Sequence, residues 1–538
     1  MSAILLMASV LIVLILAYRF YGRMMESFWG ADPLRPTPAI TQNDNVDYVP
    51  AKNWLVLFGH HFSSIAGAGP VVGPIMACLV WGWAPALCWV VLGSIFLGGI
   101  HDYGALMVSI REKGVSVGDI ASSTISKKAK LIFSIFIWLT LILVVAVFAY
   151  LAANTFANEP KIVVPSLGLI PVAFIVGIAL YRLKYPLTLT TILGLSALVG
   201  LIFLGNILPV DLGANAQTLW VIVLLIYCFS ASIIPVNYLL QPRDYLSSFL
   251  LFGGIFLGLA GILITHPATK TPALILDNNS QGSLWPMMFI TVACGAISGF
   301  HSLISSGTTS KQIVSEADAK KIGFGAMLVE GFLAAMVIII FSSSFSLPAF
   351  HAHQIMNTNP IALFAESFGN ATKTFLGPWG TFIALLILNA FILTTLDSAT
   401  RIARYITEEI LGIKNRFLST LAVVFCAGSL ALAHDGGGLP LWKKIWPVFG
   451  AANQLVGALA LIVIACWLLQ KNKSGFFYVF IPALFMLLTS LTALIIKIPA
   501  QWRNQEFLLV IISTILIITT LLLIFEVFFI LNNRRRHG

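Results

Sequence analysis

The sequence predicts an all-α polytopic membrane protein of about 15 transmembrane helices, with an inverted-repeat core and discontinuous helices. Three observations carry this expectation. Hydrophobic residues make up 59% of the 538 residues and charged residues only 10%, where soluble chains carry about 25% charged residues. Apolar runs as long as a bilayer is thick recur along the whole chain. Some of those runs are interrupted by Gly, Pro and Ser in a way that a continuous helix does not tolerate. The same composition excludes an ordinary soluble chain, a disordered one, a collagen-like fibre and a nucleic-acid-binding module.

At 1.5 Å of rise per residue, about 20 apolar residues cross the hydrocarbon core. Runs of that kind fall near 2–18, 53–80, 84–110, 130–153, 163–182, 186–208, 217–238, 245–265, 285–306, 321–346, 376–400, 416–433, 446–469, 476–496 and 506–531. The connections are short, so residues 1–538 read as one membrane domain, with 471–538 as additional C-terminal spans and a basic tail.

Orientation follows from the basic residues, which stay on the cytoplasmic side. Loops after odd-numbered spans, with the C-terminal tail, hold 24 of the 31 Lys and Arg residues. This selects an outside N-terminus and a cytoplasmic C-terminus. The net charge of +10 is then a matter of topology, and Arg534, Arg535 and Arg536 read as an anchor on anionic membrane lipid. No basic residue precedes the first span and no small-residue cleavage site precedes Arg19, so it reads as a retained span. Cys78, Cys88, Cys228, Cys294, Cys426 and Cys466 lie in apolar stretches and read as packing residues, without a disulfide framework.

Four acidic residues fall inside spans: Asp102, Glu330, Asp397 and Glu526. An ionisable group at that depth costs about 2.5–3.5 kcal/mol and usually faces a bundle interior or a watery path. Asp397 has Arg401 one turn later, which predicts a local ion pair, and Glu526 is close enough to a span end to snorkel. Asp102 and Glu330 are deeper, and His60, His61, His101 and His301 share their depth. One membrane histidine alone is as readily a helix-to-helix hydrogen-bonding residue. Together, Asp102, Glu330, His61, His101 and His301 form a candidate proton-coupling group. No metal is expected, because His60-His61 and His351-x-His353 lack the i, i+4 spacing of a helical zinc motif. No other cofactor is expected either.

The second span contains Pro70 and Pro74 among several glycines, which predicts a broken helix lining a cavity. Its candidate substrate-binding positions are Ser64, Gly67, Gly69 and Gly73, with Gly69 and Gly73 expected to permit unwinding and close approach of substrate beyond simple helix packing. The seventh span carries a second expected interruption at Ser230, Ser232 and Pro235. It lies five spans later and so crosses in the opposite direction, the arrangement of inverted-repeat transporters. The ninth span supplies further hydroxyls, of which Ser298, Ser305, Ser306 and Thr308 are candidate substrate contacts.

The runs GHHFSSIAGAGPVVGP, HDYGALMVSIREKG, QPRDYL, CGAISGFHSLISSGTTSKQ, GAMLVEG, LDSATRIARY and IWPVFGAANQL, in this order over roughly 50–470, resemble the carbon starvation protein A (CstA) family. The resemblance implies a LeuT/APC-like transport core over 50–470 and a carrier of the bacterial inner membrane induced in nutrient limitation. It further implies pyruvate uptake by proton symport or, alternatively, uptake of di- and tripeptides. The residues leave sodium open as the other coupling ion. Arg243, Asp397 and Arg401, within two of these motifs, are assigned to gating. The chain is shorter than the long members of the family, so properties of an extended C-terminal part are not carried over.

Other classes fit less well. No G-x-x-x-x-G-K-[ST] loop is present for ATP drive. A serine hydrolase built from Ser298 or Ser306 with His301 would lack the G-x-S-x-G elbow. A starvation sensor would want a soluble signalling domain. The sequence leaves the substrate and the oligomeric state open.

Overall fold

The computed structural model describes all residues except 277–281, 347–358, 414, 434–441, 472–473 and 538, and no β-strand occurs among the described residues. His351, His353 and Lys414 fall outside them, as do the side chains of Arg534, Arg535 and Arg536. The helices run α1 (Ala3–Trp29), α2 (Trp54–Ile65), α3 (Gly69–Trp81), α4 (Trp83–Arg111), α5 (Val117–Thr124), α6 (Lys127–Asn158), α7 (Pro160–Arg182), α8 (Leu187–Ile207), α9 (Gly213–Ile233) and α10 (Leu240–Thr265). They continue with α11 (Gly299–Gly307), α12 (Glu316–Ser344), α13 (Pro360–Leu376), α14 (Trp379–Leu411), α15 (Arg416–Ala431), α16 (Trp442–Gln470), α17 (Phe476–Arg503) and α18 (Phe507–His537).

Twelve of these helices are long and apolar enough to cross a membrane, and the bent pair α2–α3 makes a thirteenth. The shorter α15 and the interrupted segment 284–307 supply the further crossings needed for a count of about 15. Local chemistry sets the ends. Asn53, Ser116 and Ser126 cap α2, α5 and α6 by accepting the backbone N–H of Val56, Asp119 and Ala129, as polar N-cap residues do. Gly412 ends α14 at φ +66°, a left-handed position that a side chain would strain.

Helices α2, α3, α4, α6, α11, α12, α14 and α16 form the centre. Position relative to it is legible in burial: 89% of the most apolar window of α16 is buried, against 17% for α8. The hairpin α7–α8 therefore leans on the outside of α10, and α17 and α18 flank α16 and α6.

Two chain interruptions face each other at the centre. The first is at 66–68, where α2 and α3 meet with a bend of 41°. Pro70 sits in the first turn of α3, where its missing N–H costs nothing. The second lies between Thr291, which ends a short helical segment, and Gly299, which opens α11. The two interrupted segments run antiparallel. His60 and His61 of α2 reach Thr308 and Thr309 at 3.3 and 2.8 Å, while the Trp81 indole N–H donates to Gly282 at the opposite end, at 3.2 Å.

One expectation is corrected here. The stretch at Ser230, Ser232 and Pro235 is not a mid-span interruption: α9 is continuous to Ile233, and Pro235 lies in the turn that leads to α10. Proline is well placed there because the helix has already ended. The counterpart of the second span is the ninth, seven spans on, again an odd number and again the opposite direction.

Candidate functional site

The junction of the interruptions is polar and fully enclosed. Helix α4 brings His101 and Asp102, α11 brings His301, α12 brings Glu330 and α2 brings His60 and His61, and all six are 0% exposed. Asp102 is shared by two imidazoles, with His101 Nδ1 at 2.7 Å and His301 Nδ1 at 2.9 Å. The other nitrogen of His301 lies 3.3 Å from Glu330 Oε2, without hydrogen-bond alignment. One ring thus stands between two carboxyl groups, one at each nitrogen. Among the described residues, His61 Nε2, His101 Nε2, His301 Nε2 and both Glu330 oxygens have no hydrogen-bond partner. Buried polar atoms are ordinarily satisfied, so this concentration singles out the junction as the candidate functional site. All five residues expected to couple protons are assembled here.

The C-terminal end of α2 has carbonyl groups that no helical turn satisfies. Helix α14 supplies the donors: Thr394 Oγ1 donates to the Ser63 carbonyl at 2.5 Å and Thr395 Oγ1 to that of Ser64 at 3.1 Å. The Ser64 hydroxyl also lies 3.0 Å from that of Ser398 and donates to Asp244 at 3.3 Å. Asp244 in turn holds His60 Nδ1 at 2.7 Å.

A model described as Carbon starvation protein CstA matches residues 2–376 and 348–493. The chain belongs to the CstA family. The match extends on both sides of the 50–470 region in which the motifs lie. The pyruvate/proton symporter BtsT of Escherichia coli is 30% identical to this CstA-family chain, over 92% of the chain and 82% of that protein. The peptide transporter CstA of the same organism is 33% identical, over 90% and 80%. Among solved structures, a manganese transporter of Eremococcus coleocola aligns with a TM-score of 0.55 at 13% identity, over 92% of the chain and 99% of its own. MhsT in complex with L-phenylalanine aligns at 0.50 and 12%, over 89% and 99%. These likenesses establish an all-helical, multi-pass LeuT-like fold for the CstA-family chain.

The expected substrate positions divide. Ser64 and Gly67 sit at the first interruption and Ser298 at the second, where its hydroxyl donates to Asn453 Oδ1 at 3.2 Å. Ser305 is buried nearby, and among the described residues its hydroxyl has no hydrogen-bond partner. Ser306 accepts from the Val117 N–H at 3.3 Å and Thr308 lies against His60. Ser230 and Ser232 are elsewhere: Ser230 is exposed and donates to the Ile226 carbonyl at 3.0 Å, and Ser232 lies 3.4 Å from Thr420. Gly69 and Gly73 also differ from expectation. Neither has positive φ. A Cβ on Gly69 would stand 2.4 Å from Cys294 Cβ and Sγ, and one on Gly73 would stand 2.5 Å from the Thr291 carbonyl oxygen. Both glycines permit close approach of the two interrupted segments.

The residues expected to act in gating are paired differently from their spacing. Asp397 binds Arg243 of α10 and the Tyr227 hydroxyl, not Arg401. Arg401 donates to the carbonyls of Ala231 and Ile234, at the end of α9, and to Asp47 at 3.1 Å. Arg404 at 3.5 Å and the Tyr405 hydroxyl at 2.6 Å complete a clamp on Asp47. The serines considered for a hydrolase do not serve His301, since Ser306 donates to the Ser302 carbonyl at 2.7 Å.

Sequence reasoning missed Asp244 and the α14 hydroxyls. The signal for Asp244 was its place beside Arg243 in QPRDYL. Thr394, Thr395 and Ser398 carried none beyond their polarity within a span.

Proposed function

We propose that this protein is a secondary active transporter of the bacterial inner membrane that imports a small carboxylate, foremost pyruvate, with protons, and that it is not an enzyme. The observation that carries this reading is the His301 ring set between Asp102 and Glu330 at the junction of the two interruptions. An imidazole with a carboxyl group at each nitrogen passes a proton by accepting at one and releasing at the other. Among the described residues, the Glu330 oxygens have no hydrogen-bond partner, and Asp102 is held by two rings. The half-helix N-terminus of α11 favours an anion and the carbonyl end of α2 a cation. The Asp47 clamp serves as the gate on the face where basic residues concentrate, which the basic-residue rule makes cytoplasmic.

Uptake of labelled pyruvate and labelled dialanine into proteoliposomes, with an imposed proton or sodium gradient, tests this. Pyruvate accumulation should follow the proton gradient. Asp102→Asn and Glu330→Gln should each abolish accumulation while leaving exchange measurable. Wild-type accumulation by Asp102→Asn would remove that residue from coupling. Dialanine uptake without pyruvate uptake would establish the peptide reading, and dependence on sodium alone would turn attention to the carbonyl and hydroxyl groups of Ser63, Ser64, Thr394 and Thr395.

A further inference from the structure

A cavity of about 240 Å³ lies beside α11, between the loop preceding α2 and helices α5, α6 and α14. It is smaller than the about 300–1,000 Å³ of sites for drug-sized ligands. One wall is aliphatic, from Ile137, Leu303, Ile402 and Ile406, and Ser306 of α11, the half-helix that begins at the second interruption, also lines it.

The charges on its walls are unevenly matched. Four carboxylates line it: Asp47, Asp119, Glu408 and Glu409. Each already has a cation. Asp47 is held by Arg401 and Arg404, Asp119 and Glu409 share Lys130, and Glu408 lies 3.6 Å from Arg404. Lys311 is the exception. It lines the same cavity, and among the described residues no carboxylate stands within 4.0 Å of it. Its ammonium rests instead over two aromatic faces, 4.2 Å from the Tyr405 ring centre and 5.2 Å from that of Tyr48. A ring face attracts a cation but accepts no strong N–H hydrogen bond, so the donors of Lys311 remain available to a charged acceptor.

We propose that this cavity is a second solute site, in which Lys311 holds the carboxylate of the transported solute as it passes between the central interruptions and the basic face. The aliphatic wall takes the short apolar part. The inference rests on the transport of a carboxylate-bearing solute proposed above. The wall carboxylates are engaged by Arg401, Arg404 and Lys130, which leaves Lys311 as the lining cation that can take a solute carboxylate.

The test uses the full chain in oriented vesicles and labelled pyruvate, with Lys311→Gln and Lys311→Arg. For Lys311→Gln, half-saturation from the cavity side should rise at least about tenfold, the scale of a lost charge-assisted hydrogen bond. Half-saturation from the opposite side should stay within about twofold, which also shows that the variant is folded. Lys311→Arg should remain close to wild type. Equal shifts on both sides, or none on either, would overturn the proposal. If wild type carries dialanine and not pyruvate, the same measurement is read with dialanine. If it carries neither, the transport reading fails by itself, and equilibrium binding of pyruvate to the purified chain decides. Binding lost in Lys311→Gln supports the site, and absence of binding to wild type rejects it.

Discussion

Adding a single methyl group at Gly69 should separate the two interrupted segments. The Cβ of Gly69→Ala would stand 2.4 Å from both the Cβ and the Sγ of Cys294. Carbon atoms pack best at about 3.5–4.0 Å, so the shortfall exceeds about 1 Å. A Cβ cannot rotate away as the end of a long side chain does, and α3 must therefore move off the second segment. Overpacking of this kind costs about 1–3 kcal/mol. The expected result is a tagged protein that still reaches the membrane, with a lowered thermal midpoint on fluorescence-detected chromatography and reduced uptake. Cys294→Gly deletes both opposing atoms, so the Gly69→Ala/Cys294→Gly double variant should recover more than half of the loss. Gly73→Ala meets the Thr291 carbonyl oxygen at 2.5 Å. That is backbone, and Cys294→Gly should not rescue it. A Gly69→Ala protein with wild-type midpoint and uptake, or a double variant no better than the single one, would refute the reasoning.

Two further outcomes are expected. Arg243→Gln and Asp397→Asn each strand a buried charge and should cost about 3–5 kcal/mol. An Arg243→Met/Asp397→Leu double variant should lose less than the sum of its single variants, whereas additive losses in the thermal midpoint would reject the pairing. For the Asp47 clamp, burial works to raise the carboxyl pKa, but Arg401, Arg404 and Lys311 outweigh it and hold the group below its ordinary 3.8. The clamp is therefore fully formed above 3.8 and is lost only as pH falls through the depressed value. Over about pH 5–8, where histidines titrate, Asp47→Asn should change the rate of uptake but leave the shape of its pH profile unaltered. A flattened profile would count against this assignment.

The spans and the first interruption were legible because hydrophobicity and proline act locally. The Asp102, Glu330 and histidine group was legible because charge at bilayer depth is rare enough to require company. The identity of partners was less so. Pro235 looked like a break because a proline in an apolar run gives no sign of whether the helix has already ended. Asp397 and Arg401 satisfy the one-turn rule, yet Asp397 pairs with Arg243 of α10 and Arg401 with the end of α9 and with Asp47 of the loop preceding α2. Thr394 and Thr395 were silent, since a hydroxyl within a span most often bonds its own preceding turn, and only the folded arrangement reveals carbonyls in need of it. Lys311 stands in the quoted motif SSGTTSKQ, where nothing local distinguishes a lysine facing a cavity from one facing solvent.

The two seams around the central interruptions differ in kind. At Gly69 the chain packs directly on the Cys294 side chain and at Gly73 on the Thr291 carbonyl, with no hydrogen bond across the contact, so slippage there means opening a dry gap. At Ser63 and Ser64 the contact is hydroxyl against carbonyl, and water can replace each donor as it leaves, so little hydrogen bonding is lost. Relative sliding is thus cheap along one edge of the bundle and costly along the other. Deuterium should enter the backbone amides near Thr395 well before those near Thr291, and an applied proton gradient should widen that interval.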